Sequence, residues 1–96
     1  MNFDKEIESG VVVVVDFFAT WCGPCKMLAP VMEEVEREMV DVKFLKIDVD
    51  QEEELARRFG VMSIPTIIVF KDGNIKGQNV GFMTKDEIID MINSVK

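Results

Sequence analysis

Five consecutive valines, Val11 to Val15, run into Asp16, Phe17 and Phe18, and this stretch restricts the fold more than any other. β-Branched and aromatic residues favour extended backbone, and without polar alternation the run reads as a central strand covered on both faces. Such a strand is the backbone of the core, and the helical patterns that flank it point to the α/β class. With 96 residues there is room for one such core, so a single domain over 1–96 without a linker is expected.

The flanking segments supply the covering elements. Residues 2–9 place Phe3 and Ile7 on one face of a short helix stopped by Gly10. From Pro24 to Met39 the apolar residues Leu28, Val31, Met32, Val35 and Met39 recur at helical spacing, with Glu33, Glu34, Glu36 and Arg37 on the other face. Pro24 suits a first turn, whereas Pro30 falls inside the helix and is expected to kink it. Val42 to Val49 reads as the next strand and Glu52 to Phe59 as a short helix closed by Gly60. Strand, helix, strand makes a right-handed parallel unit. Thr66 to Phe70 and Ile75 to Val80 read as an antiparallel pair around the turn Lys71 to Asn74, the second strand at an edge. Thr84 and Glu87 form a capping box for a last helix with Ile88, Met91, Ile92 and Val95 as its stripe. Met27, Met32, Met39 and Met91 are read as core filler on or beside these stripes.

Charge and hydropathy exclude several functions. Eighteen acidic against eleven basic side chains give a net charge of −7, with no basic cluster to track a phosphate backbone, so nucleic acid is not expected as a partner. The apolar run from Val11 is broken at Asp16 and is far shorter than a membrane helix, so no membrane partner is expected either. The acidic opening residues do not resemble a secretory leader, and the expected location is the cytoplasm.

That location bears on Cys22 and Cys25, the only cysteines. A permanent structural disulfide is uncommon in a reducing compartment. The chain has no histidine and no further cysteine, so the pair supplies half of a tetrahedral metal site, and no metal or other cofactor is expected. Placed between a buried strand and the first turn of a helix, the pair meets free backbone N–H groups that favour a thiolate. Cys22, ahead of the helix, is the expected attacking sulfur, and Cys25, one turn in, resolves the mixed disulfide. Gly23-Pro24 stiffens the link between them.

The segments VDFFATWCGPCKMLAP, KIDVDQ, FGVMSIPTIIVFKDG and VGF together resemble the thioredoxin family, in order and over nearly the whole chain. The resemblance implies a thioredoxin-like fold with a central mixed sheet. It implies a protein-disulfide reductase working through a reversible Cys22–Cys25 disulfide, as an electron carrier recharged by a thioredoxin reductase. Asp16 matches the family's buried strand aspartate, which helps move the proton off the resolving cysteine, and Lys46 matches its partner on the neighbouring strand. A carboxyl buried in an apolar run would have its pKa raised, although a solvated or ion-paired aspartate at a strand end fits the pattern too. Pro65 matches the family's cis-proline; without the resemblance it reads as a plain proline at a strand start. Trp21, Gly23, Pro24, Ile64, Gly81 and Phe82 are expected to join Pro65 in a flat apolar docking patch, with the Ser63 and Ile64 backbone free to pair with a substrate segment.

Three departures from the family pattern are visible. The chain opens at what looks like the family's first helix, so four strands are expected where the family has five. The strand at Val42 to Val49 then lies at an edge, blunted by Lys43 and Lys46 or paired in a dimer of an otherwise monomeric protein. Phe18 stands where tryptophan is usual and Ser63 where glycine is common. A glutaredoxin-like, glutathione-coupled enzyme and a non-catalytic interaction module built on the patch around Trp21 and Pro65 are the alternative functions.

Overall fold

A computed structural model of the chain describes residues 2–96. The central strand, β1 (Val13–Phe18), is buried along nearly its whole length, as its composition requires. It begins two residues later than the valine run because Gly10 has positive φ and Val11 stays outside the ladder, exposed. β1 pairs in parallel with β2 (Lys43–Asp48) and antiparallel with β3 (Thr66–Lys71), which pairs antiparallel with β4 (Asn74–Val80). The resulting mixed four-stranded sheet has the order β2-β1-β3-β4, with both edges where the sequence places them. At the β3–β4 turn Asp72 and Gly73 both have positive φ, the conformation a two-residue hairpin of Asp-Gly type demands.

Helices α1 (Phe3–Ile7) and α3 (Glu53–Arg58) cover one face, and α2 (Gly23–Glu38) and α4 (Lys85–Val95) the other. On the first face Phe3, Phe59 and Phe70 form a tilted and edge-on aromatic cluster above Val13, Val15 and Phe17. On the second, Leu28, Met32 and Val35 meet Ile88 and Ile92 across Val14, Ile67 and Val69. Asn2 caps α1 by accepting from the Lys5 N–H, so this helix starts at Phe3 and is shorter than its pattern. The Thr84–Glu87 capping box is present in both directions.

Pro30 is enclosed in α2, which continues on both sides of it. It is exposed on the outer face of the helix and has no N–H to give to the carbonyl one turn back. Met27 departs from the core assignment: it projects from the outer face of α2 and is largely exposed, while Met32 and Met39 are buried. Lys43 at the β2 edge pairs with Glu6 at 2.9 Å, and Lys46 lays its ammonium 5.0 Å from the centre of the Phe18 ring. Among the described residues no helix is long and apolar enough to cross a membrane.

Candidate active site

The chain leaves β1 at Phe18, turns through Ala19 to Trp21 and enters α2 at Gly23. Pro24 occupies the first turn of α2, where its missing N–H has no partner to lose. Cys22 is the N-cap: its Sγ accepts from the backbone N–H of Cys25 at 3.2 Å. A sulfur held there, at the positive end of a 16-residue helix, is stabilised as a thiolate by both the hydrogen bond and the helix dipole.

Cys22 and Cys25 are joined as a disulfide with Cα atoms 5.2 Å apart. Exposure does not separate the two cysteine residues, since Cys22 is 4% and Cys25 5% exposed. Cys25, one turn into the helix, is buried, and Cys22 is buried with it. What distinguishes them is the N-cap position of Cys22 and the donor aimed at it. A third wall comes from the loop before β3, where the Ile64 carbonyl oxygen lies 3.8 Å from Cys22 Sγ and Ile64–Pro65 is cis.

Asp16 sits in the middle of β1, in register with Lys46 on β2, and is only 2% exposed. Its Oδ1 has no hydrogen-bond partner, and burial raises its pKa from 3.8 to about 6, with the nearby Lys46 charge opposing the rise. No ion pair joins them among the described residues, because Lys46 directs its ammonium over Phe18. The solvated and ion-paired readings of Asp16 do not hold. Asp16, Lys46 and Cys25, together with Ala19, Thr20 and Lys26, line one cavity of about 220 Å³, which links the unpaired carboxyl to the second sulfur.

The residues expected to form a docking patch fall into two groups. Trp21 is 69% and Phe82 43% exposed, and Gly23 and Pro24 are exposed beside them. Ile64 and Gly81 are half-buried and Pro65 is buried, so these three form the floor and not the face. Gly81 is tied to this floor by its N–H, which donates to the Pro65 carbonyl at 2.8 Å. The Ser63 carbonyl accepts from the Thr66 hydroxyl at 2.5 Å and the Ile64 carbonyl faces sulfur, so these two groups are less free for a substrate segment than expected.

Two residues near the site were missed. Asp50 accepts from the Trp21 indole N–H at 2.8 Å and fixes the ring; the available signal was that a lone indole donor seeks an acceptor. Met62, in the loop before Pro65, is 95% exposed, and no helical stripe marks it. No group of three or more potential metal ligands occurs among the described residues.

A family model described as Thioredoxin matches residues 1–94. The thioredoxin of Bacillus subtilis is 50% identical over 93 residues, covering 96% of this chain and 88% of that protein. An X-ray structure of Fasciola hepatica thioredoxin superposes with a TM-score of 0.89 at 38% identity, over 98% of this chain and 88% of that one. Oxidized mitochondrial thioredoxin 3 from Saccharomyces cerevisiae gives 0.89 at 35% identity, over 96% and 86%.

Proposed function

The chain belongs to the thioredoxin family, and we propose that within its reaction Cys22 attacks, Cys25 resolves and Asp16 takes the proton. It is a thiol-disulfide oxidoreductase with a redox-active Cys22–Cys25 disulfide. In the reducing direction the Cys22 thiolate attacks one sulfur of a partner's disulfide, forming a mixed disulfide and releasing the partner's other sulfur as thiolate. Cys25 then loses its proton and attacks Cys22 Sγ, closing the Cys22–Cys25 disulfide and releasing the second partner thiolate. Two electrons leave the dithiol and reduce the partner.

The single observation that carries this division of roles is the hydrogen bond from the Cys25 N–H to Cys22 Sγ at the helix N-terminus. It stabilises negative charge on Cys22 and offers nothing comparable to Cys25. Cys25 shares its cavity with Asp16, whose carboxyl has an unpaired oxygen and a pKa of about 6, suited to accepting a proton near neutrality. Lys46 on the cavity wall favours the ionised form that follows. Trp21, Gly23, Pro24 and Phe82 receive the partner around the sulfurs, above the floor made by Ile64, Pro65 and Gly81. The donor in this proposal is a thioredoxin reductase in a cytoplasmic setting, the acceptors are protein disulfides, and residues 1–96 act as a single domain.

Cys25→Ser tests the roles. It is expected to accumulate a mixed disulfide at Cys22 with an oxidised protein substrate, visible by mass spectrometry. Cys22→Ser is expected to capture nothing; capture through Cys25 would reverse the assignment.

A further inference from the structure

Met62 is the most exposed large apolar side chain of those described, at 95%, and it lies in the loop that brings the Ile64 carbonyl to the reacting sulfurs. Val61 packs into the aromatic side of the core and Ile64 packs against the cysteines, so the loop is pinned at both points and turns Met62 outward. The Thr66 hydroxyl bonded to the Ser63 carbonyl fixes it further. Two residues of chain span at most about 7 Å, which holds Met62 close to Ile64, whose carbonyl lies 3.8 Å from Cys22 Sγ. Trp21, next to Cys22, and Phe82, next to the Gly81 that bonds the Pro65 carbonyl, are exposed apolar side chains on the other segments that meet the site.

We propose that Met62 is an oxidation site that controls docking: peroxide converts its thioether to the sulfoxide and weakens engagement of protein disulfides while leaving the Cys22–Cys25 exchange intact. The inference rests on the docking face described under the proposed function. In the step itself the Met62 sulfur attacks one oxygen of hydrogen peroxide, the S–O bond forming as the O–O bond breaks. The thioether loses two electrons, and the hydroxide released takes the proton from the transferred oxygen and leaves as water. The product is polar where an apolar surface was offered to an apolar segment flanking the partner's disulfide.

Selectivity follows from burial. Met32, Met39 and Met83 are buried and Met91 is half-buried, which leaves Met27 as the other strongly exposed thioether described. In the disulfide form neither cysteine is free to compete for peroxide. The disulfide form is thus the state in which Met62 meets least competition for peroxide, and reduction of the disulfide does not itself reverse the sulfoxide.

The test uses the full chain with Met27→Leu, in its disulfide form, treated with hydrogen peroxide and followed by peptide mass spectrometry. Turnover is then measured with dithiothreitol as donor, against insulin as a protein disulfide and against a small aromatic disulfide. Oxidation at Met62 is expected to lower kcat/KM for insulin about five- to tenfold, the scale of losing part of one buried methionine contact. The rate with the small disulfide stays the same. Untreated Met62→Gln should show the same split, and the Met62→Leu variant should respond to peroxide with no further loss. The proposal is overturned if Met62 resists peroxide, if insulin turnover is unchanged with Met62 oxidised, or if the loss persists in Met62→Leu. Phe82→Ser separates the two levels of argument. If it slows insulin while Met62 oxidation does not, only the role of Met62 fails; if neither slows insulin, the docking face itself is wrong.

Discussion

The Asp16→Asn variant should gain stability relative to the wild type as pH rises, by an amount that the raised pKa of the carboxyl defines. In the folded protein burial holds this carboxyl protonated up to about pH 6, whereas in the unfolded chain it ionises around 3.8. Between those values unfolding releases a proton, so wild-type stability falls as pH rises through the window and then levels off. The interval from 3.8 to about 6, at about 1.4 kcal/mol per pH unit, corresponds to about 3 kcal/mol. Asparagine keeps the shape and does not titrate. Its amide also lacks a ready partner in this cavity, but that penalty is the same at every pH and shifts the level without changing the slope. Asp4, Asp41 and Glu87, whose pKa values are lowered by their hydrogen-bond partners, are common to both proteins and cancel in the difference. Urea unfolding of the disulfide form of both proteins from pH 3 to 8 should show the stability of Asp16→Asn relative to wild type growing by about 3 kcal/mol and reaching a plateau above pH 6 to 7. A difference that is flat with pH, or that shrinks as pH rises, would show that the carboxyl is solvated or paired and refute its raised pKa.

Further outcomes follow from the same geometry. Trp21, the only tryptophan, borders the sulfurs, so its fluorescence should change when the disulfide is reduced; a constant signal would place the indole away from the site. Asp50→Ala releases the indole N–H and should slow insulin reduction about two- to fivefold, on the scale of one exposed hydrogen bond, without affecting a small disulfide. Equal slowing of both substrates would mean that Asp50 acts on the exchange chemistry. Titration against glutathione should give a reduction potential well below the roughly −120 mV of strongly oxidising CxxC proteins, in the direction of the family value of about −270 mV. A potential near the oxidising value would make the protein a source of disulfides.

The parts of this molecule that were legible in the sequence are those set by local pattern. The valine run could satisfy its backbone and bury its side chains in few ways other than as a central strand, and Thr84 with Glu87 carries its own geometry. Cys22 and Cys25 were found because two cysteines at a helix start permit little besides redox chemistry once histidine is absent. Element ends moved by one or two residues where a cap or a positive φ decided them, as at Asn2 and Gly10. Other features depended on what the chain brings together from a distance. Met27 lies at the margin of a helical stripe, and only the placement of α2 on the sheet turns it to solvent. Asp50 reaches Trp21 from 29 residues away. The near-equal burial of the two cysteines and the cavity lined by both Asp16 and Cys25 are properties of packing that no spacing encodes.

The measurement that tests the account most directly is the decay of a mixed disulfide at Cys22, followed by rapid mixing over a range of pH in the wild type and in Asp16→Asn. With Asp16 as the base, wild-type decay should accelerate as pH rises through about 6. Asp16→Asn should form the mixed disulfide at the wild-type rate, resolve it about 10- to 100-fold more slowly near neutrality, and lose that inflection. An unchanged rate and pH profile in Asp16→Asn would contradict the account, leaving Asp16 a structural residue and the Cys25 proton to another acceptor.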